Sequence, residues 1–327
     1  MNNFKTNKLA WCLTDGTAGT ISQVRGLAEA LDINYELKEV KLIFPWNKLP
    51  VGLLPITKMM FKNFDDFYLE SKLPDIIISC GKRSIYASLF LTKNTPNRIF
   101  SIHIQNPKIK TNNFDIIVAP SHDKIAGNNV IVTDLAINHV TPKLLDKHAQ
   151  QMSERFASIQ KPICTILIGG HSRNYKFDYS TLMNLGESID NVIKNNDVRL
   201  FILFSRRTDK FIKEYLINKY SDKNYIWQGK DNPYLALLYY SKFIICTSDS
   251  VSMISESISA HKSVYIFKLP SLKKNNRIEK FILTILKKNY ARILKGKLND
   301  YSNPYNDETY EVVKNIIERY NKKYASS

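Results

Sequence analysis

The chain has no CxxC pair: its four cysteines stand alone at 12, 80, 164 and 246, each in or directly after an apolar run. That spacing excludes zinc-ribbon and dithiol redox motifs. It fits reduced, buried thiols that behave as small hydrophobes, and so a reducing compartment. No apolar run approaches the ~18 residues that suggest a membrane span. The opening MNNFKTNKLAW lacks a signal-peptide core, so a cytoplasmic protein is expected. Neither HxH nor HExxH occurs, which leaves a metal site a minor option. GxGxxG is also missing, so a dinucleotide fingerprint is not supported. No internal repeat or low-complexity tract is visible.

Acid is in short supply: 30 Asp and Glu face 47 Lys and Arg, a formal charge of +17. Such a field draws anions. No recognised nucleic-acid-binding signature accompanies it, so phosphorylated small molecules or acidic lipid are the expected partners and nucleic acid is not.

What is present is a repeated succession of apolar run, polar turn and helix, the pattern of a doubly wound α/β protein. At 327 residues and 44% hydrophobic content, two domains are expected. Strand signals at 8–13, 35–41, 74–79, 98–104, 114–119 and 129–133 predict a Rossmann-like domain over 1–155. The pattern restarts at 163–168 and continues at 198–204, 225–228, 243–246 and 264–267. It predicts a second such domain over 156–327, whose last helix could pack back on the first. The boundary falls in the polar, helix-like stretch 136–160, with Thr141 as cap and Pro142 at the first helical position.

The stretch around which the chain is organised is 243–267. Two apolar strands bracket TSDSVSMISE at 247–256, which holds five hydroxyls, one Asp and one Glu. A polar turn from a buried strand into a helix offers free N–H groups where α/β proteins hold phosphates. Ser248 or Asp249 can cap that helix. Glu256, about two turns along, suits a ribose hydroxyl. Two further loops follow strands in the same half. GGHSRNY at 169–175 carries Gly169 and Gly170, which let a backbone approach a ligand closely. SRRT at 205–208 offers paired arginines to a diphosphate. The three together point to an anionic nucleotide.

The first half offers its own candidates. TDGTAGT at 14–20 is a tight Gly-containing turn after the first strand, with Asp15 and Ser22 as plausible caps. Lys82 and Arg83 follow Gly81 at a strand end, where ligands bind in parallel sheets. His103, Gln105, His122 and Asp123 are expected at the same sheet edge, with the histidines as candidate general bases. Residues 43–64 combine three Pro, one Trp, three Phe, two Met and three Lys with no acid. That composition suits a membrane interface, an apolar acceptor pocket, or a loop packed on its own domain. In 268–297, Ile278, Phe281, Ile282, Ile285 and Leu286 fall at helical spacing, with the core-facing reading favoured over a lipid-facing one.

In order along the chain, Asp15, Gly16, Gly19 and Gln23, SCGKRS (79–84), IQNP (104–107), FDIIVAPSHD (114–123), GNNVIVT (127–133), LIGGHSRNY (167–175), SRRT (205–208), NPY (232–234) and TSDSVSMISE (247–256) resemble the mitochondrial-fission Elm family. That family has a plant mitochondrial factor and bacterial members labelled glycosyltransferases. Two positions depart from its pattern: His261-Lys262-Ser263 where Gly-Lys-Pro is usual, and Leu135 where glycine is usual.

The resemblance implies a GT-B-like fold of two Rossmann-like domains facing a cleft. It implies a glycosyltransferase that moves a sugar from a nucleotide-sugar to a membrane glycolipid or lipopolysaccharide-type acceptor. No cofactor is implied, the nucleotide-sugar being a substrate. The donor contacts it implies are Gly169, Gly170, Arg206, Ser248, Asp249, Ser250 and Glu256. The acceptor side is Gly16, Lys82, Arg83 and Gln105, with His122 or Asp15 as base. No DxD pair sits at a strand end, so a metal-independent displacement at the inner face of a membrane is expected. The alternatives are a non-catalytic adaptor on the same fold, or a sugar-nucleotide epimerase or hydrolase.

Overall fold

The computed structural model describes residues 8–65, 73–95, 98–221, 226–227, 231–274 and 276–325. The chain divides into two compact units: residues 1–139 with 307–327, and residues 140–306. Each is a parallel α/β sheet, the GT-B-like class of two Rossmann-like folds.

Unit 1 begins with β1 (Leu9–Thr14), α1 (Ala18–Ala30) and β2 (Asn34–Glu39), then β3 (Ile76–Cys80) and α2 (Lys82–Asn94). It continues through β4 (Phe100–Ile104), β5 (Ile116–Pro120) and β6 (Val130–Thr133). The strands pair in the order β2-β1-β3-β4-β5-β6, every pair parallel. Central strands are covered on both faces, which is why β1, β3 and β5 read as near-continuous apolar runs; β4 alternates, yet its Ser101 and His103 are buried as well. Ala10 and Cys12 enter the core on the face of α1; Trp11 and Leu13 enter the opposite one with Tyr86 and Leu91 of α2.

Unit 2 opens on α3 (Pro142–Gln151), capped by Thr141 Oγ1 accepting from Leu144 N at 3.2 Å, then the single turn α4 (Ser153–Phe156). Then come β7 (Ile163–Ile168), α5 (Tyr179–Asn195), β8 (Arg199–Phe204) and α6 (Lys210–Tyr220). After α7 (Tyr234–Tyr240) the unit ends with β9 (Ser241–Thr247), α8 (Val251–Ser259), β10 (Ser263–Phe267), α9 (Arg277–Lys287) and β11 (Arg292–Ile293). The sheet order is β11-β10-β9-β7-β8, again parallel throughout. Of the strand expected at 225–228, residues 225 and 228 lie outside the described residues, while Ile226 makes an isolated parallel bridge to Ile202.

The stripe Ile278, Phe281, Ile282 and Ile285 of α9 is buried, so this helix faces the core. The chain then returns to unit 1 in α10 (Thr309–Tyr324), where Val312 and Ile316 join the α1 face of the sheet. No described helix is long and apolar enough to cross a membrane.

Both sheets have a point where successive crossovers leave in opposite directions: β1/β3 in unit 1 and β7/β9 in unit 2. In open parallel sheets ligands bind outside the carboxyl ends of the strands at such points.

Candidate functional site

In unit 2 the switch point brings the end of β7, Gly169 and Gly170, against the end of β9, Ser248 and Asp249. The link is a hydrogen-bonded knot. Thr247 Oγ1 accepts from Gly169 N at 2.8 Å and donates to Asp249 Oδ1 at 2.7 Å. Asp249 Oδ2 accepts from Gly170 N at 3.1 Å and from Arg207 Nη2 at 2.8 Å. Thr208 Oγ1 reaches the carbonyls of Ile168 and Gly169 at 2.9 and 2.7 Å. The loops after β7, β8 and β9 are thus held as one platform.

The two glycines are needed because the platform is so close. A Cβ on Gly169 would lie 2.1 Å from Asp249 Oδ1, and one on Gly170 would lie 1.9 Å from the Arg207 carbonyl oxygen. What their missing side chains admit is this protein's own carboxylate and backbone.

Neither Ser248 nor Asp249 caps α8, contrary to the sequence expectation. Ser250 does, its hydroxyl accepting from Met253 N at 3.4 Å. Ser248 is committed one turn earlier: its N–H pairs with the Phe267 carbonyl and its hydroxyl accepts from Leu269 N, tying β9 to β10. Asp249 is committed to the knot.

Beyond the cap, α8 carries no acid in its first turn, and residues 250–253 are half-buried. The N–H groups of Val251 and Ser252 have no intrahelical acceptor at that end and can meet an anion. His171, Arg173, Arg206 and Arg207 are all exposed on the neighbouring loops. Arg206 and Arg173 have no hydrogen-bond or ion-pair partner among the described residues.

Glu256 is only 6% exposed, and its Oε2 accepts from Tyr234 Oη at 2.5 Å. Burial, then the adjacent carboxylate, pushes the Tyr234 phenol well above its usual range, so it stays a donor. Tyr175 does the same for Glu279 at 2.6 Å, and Glu279 is paired with Lys268. Sequence reading offered both arginines of SRRT to a diphosphate but did not foresee that Arg207 is bound to Asp249, and it missed the parts played by Thr208, Tyr175 and Tyr234. NPY was the one signal for Tyr234.

In unit 1 the switch point lies between Asp15 and Gly81. Asp15 Oδ1 accepts from Thr17 N at 3.2 Å, Thr17 Oγ1 at 2.9 Å and Thr20 Oγ1 at 2.8 Å. Its Oδ2 faces Gly81, where a Cβ would sit 3.4 Å away. Gly81 is in the left-handed region, φ +90, and starts α2. Asp15 does not cap α1, whose N-cap is Thr17, and Ser22 lies inside that helix, bonded to His139 Nδ1 at 2.6 Å. Gly16, at φ +80, backs onto Glu39.

Lys82 and Arg83 form the first turn of α2, where cations oppose the helix dipole. Lys82 Nζ is bonded to the Lys48 carbonyl; Arg83 is exposed, with no hydrogen-bond or ion-pair partner among the described residues. Two cations at this end of a helix add nothing to its stability through the dipole.

Gln105, at φ +80, donates from Nε2 to Gln23 Oε1 at 3.2 Å, joining the end of β4 to α1. Asp123 accepts from Asn106 N at 3.0 Å and so holds the 105–108 turn. His122 is 8% exposed, its Nε2 3.9 Å from Asp123 Oδ1. His103 does not join them as a candidate base. It is 1% exposed, stacked on Phe114 at 4.9 Å and bonded to Ser79 Oγ at 2.8 Å. Burial pushes its pKa down to about 3, so it is a neutral core imidazole.

The family model described as Mitochondrial fission ELM1 matches residues 18–320. An uncharacterized protein of Rickettsia prowazekii, RP120, is 27% identical over 93% of this chain and 97% of its own. Mitochondrial fission protein ELM1 of Arabidopsis thaliana is 27% identical over 60% of this chain and 52% of its own. Among solved structures, a UDP-GlcNAc 2-epimerase of Methanocaldococcus jannaschii, in complex with UDP-GlcNAc and UDP, superposes with a TM-score of 0.55 at 15% identity. The match covers 95% of this chain and all of that one, and it shows a shared fold.

Proposed function

The chain belongs to the mitochondrial fission ELM1 family, and we propose that it is a glycosyltransferase with its nucleotide-sugar site in unit 2 and its acceptor site in unit 1. The observation that carries this reading is the open N-terminus of α8 at the β7/β9 switch point. It is framed by exposed Arg206 and Arg207 and has no first-turn acid. Helix N–H groups and a guanidinium fork are the chemistry a diphosphate requires. The epimerase that shares the fold is described with UDP-GlcNAc and UDP, which supports the same ligand class.

In this proposal Asp15 is the base. Three donors lock one of its oxygens and aim the other at the switch point of unit 1. It takes the proton of an acceptor hydroxyl, and the acceptor oxygen then attacks the anomeric carbon. The bond from that carbon to the nucleotide diphosphate breaks, and the electron pair leaves with the phosphate. Arg206 and the Val251 and Ser252 N–H groups receive that charge in place of a metal ion. Asp123, with His122 buried beside it, supports the turn that carries Gln105. Arg83 and the α2 N-terminus suit an anionic acceptor, with a glycolipid at the inner face of a membrane as the class proposed.

The epimerase likeness favours a second reading, chemistry on the sugar-nucleotide alone. A thermal-shift screen with UDP, GDP, CMP, ADP, dTDP and their sugars, followed by product analysis, separates them. Nucleotide release that requires a lipid acceptor supports transfer. An altered sugar-nucleotide without acceptor establishes epimerisation. No shift with any nucleotide overturns both and leaves a non-catalytic adaptor.

A further inference from the structure

Residues 42–61 form a closed loop on unit 1 whose base is fixed and which exposes large apolar side chains. Leu42 and Phe61 make an antiparallel bridge, flanked by Ile43 N to Met60 O at 2.9 Å and Lys62 N to Lys41 O at 2.8 Å. Trp46 Nε1 donates to the Pro55 carbonyl at 3.0 Å inside the loop. From beneath, α2 holds it twice: Tyr86 Oη reaches the Pro50 carbonyl at 3.1 Å and Lys82 Nζ the Lys48 carbonyl at 2.9 Å. Leu42, Met60 and Phe61 are buried in the unit's core.

On this anchored base, Phe44, Leu53 and Met59 are 76, 66 and 72% exposed. A single exposed apolar side chain needs no explanation, but three large ones on one well-fastened loop do. They are interleaved with exposed Lys48, Lys58 and Lys62, which have no ion-pair partner among the described residues, and the sequence has no acid from 40 to 64.

We infer that this loop docks the protein on an anionic lipid surface, with Phe44, Leu53 and Met59 entering the acyl boundary and the three lysines meeting headgroup phosphates. Two features favour lipid over a protein partner. Lysine is depleted at protein interfaces, whereas lysine beside Phe and Leu is the composition of interfacial membrane elements. A loop with three exposed lysines and no acid of its own, the nearest being Glu39 and Asp65 at its base, suits an anionic leaflet better than the mixed charge of a protein.

The Lys82 bond sets the loop beside the first turn of α2, where Arg83 is exposed. A lipid-linked acceptor entering there would have its headgroup at the proposed acceptor site. The inference therefore deepens the acceptor part of the proposed function without resting on nucleotide binding.

The test is flotation of the full chain with vesicles of phosphatidylcholine alone and of phosphatidylcholine with phosphatidylglycerol in equal parts. The protein should float with the second kind and not the first. Phe44→Ser/Leu53→Ser/Met59→Ser should weaken that binding by about tenfold or more. Lys48→Gln/Lys58→Gln/Lys62→Gln should abolish the preference for phosphatidylglycerol. All six side chains are exposed, so melting temperatures should be unchanged; if the triple serine variant melts early, Leu53→Ser alone carries the test. No flotation of the wild type, or equal flotation of the serine variant, overturns the inference. So does a wild-type dimer, by light scattering, that the serine variant splits, since the loop then serves a second copy. Nucleotide thermal shifts on the same variants keep the two readings apart: flotation without any nucleotide shift would sink the transferase and leave the docking surface standing.

Discussion

Arg207 Nη2 lies 2.8 Å from Asp249 Oδ2, and the carboxylate side chain that receives it is fully buried while the arginine is 45% exposed. Asp249 also answers Gly170 N and Thr247 Oγ1, so it is the keystone of three loops. Asp249→Ala should therefore destabilise the protein by about 2–3 kcal/mol, because it strands buried donors. Arg207→Ala should cost about 1 kcal/mol or less, since solvent already screens its end of the pair. Urea unfolding curves for the two variants check the inequality, which fails if Arg207→Ala proves the more damaging.

Gly169 and Gly170 give a sharper case. With Cβ positions 2.1 and 1.9 Å from fixed atoms, alanine at either should cost about 3 kcal/mol or more and abolish any nucleotide-induced stabilisation. Gly127→Ala, whose Cβ would meet only side-chain atoms at 3.1 Å and beyond, should cost less than either. Melting temperatures and soluble yield report both.

Arg206 is the opposite kind of residue, exposed and free of ion-pair or hydrogen-bond partners among the described residues. Arg206→Ala should leave the unfolding curve within about 0.5 kcal/mol of wild type. It should weaken binding of the nucleotide diphosphate that the thermal-shift screen identifies by about tenfold, the loss of one charge-assisted contact. Titration calorimetry with that nucleotide decides it; unchanged affinity would remove Arg206 from the donor site.

His103 sets a pH dependence. Burial holds its folded pKa at about 3 against 6.5 for the free side chain. Between those values the unfolded chain binds a proton that the folded chain refuses. Stability is therefore complete above pH 6.5 and falls as pH drops toward 3, by at most about 1.4 kcal/mol per unit. His103→Gln should remove that part of the slope. Urea midpoints from neutral to mildly acidic pH, followed by Trp fluorescence, would show parallel curves for wild type and variant if the prediction is wrong.

The sequence by itself determined the two-sheet α/β plan, because strands covered on both faces need a largely apolar run, as 76–78, 116–119 and 163–168 supply. It also determined which loops leave those strands at their carboxyl ends, and which stripe of α9 faces inward, since helical period and burial are read directly from residue spacing. Partner choice was decided only by tertiary structure. Ser250 rather than Ser248 caps α8 because Ser248 is claimed by Leu269 and Asp249 by the knot. His103 is a core residue because Phe114 and Ser79, distant in sequence, close over it. Asp15 faces Gly81 because β1 and β3 are neighbours. A residue's chemistry is local, but which donors and which burial it meets depends on contacts tens of residues away, and spacing along one chain does not encode those.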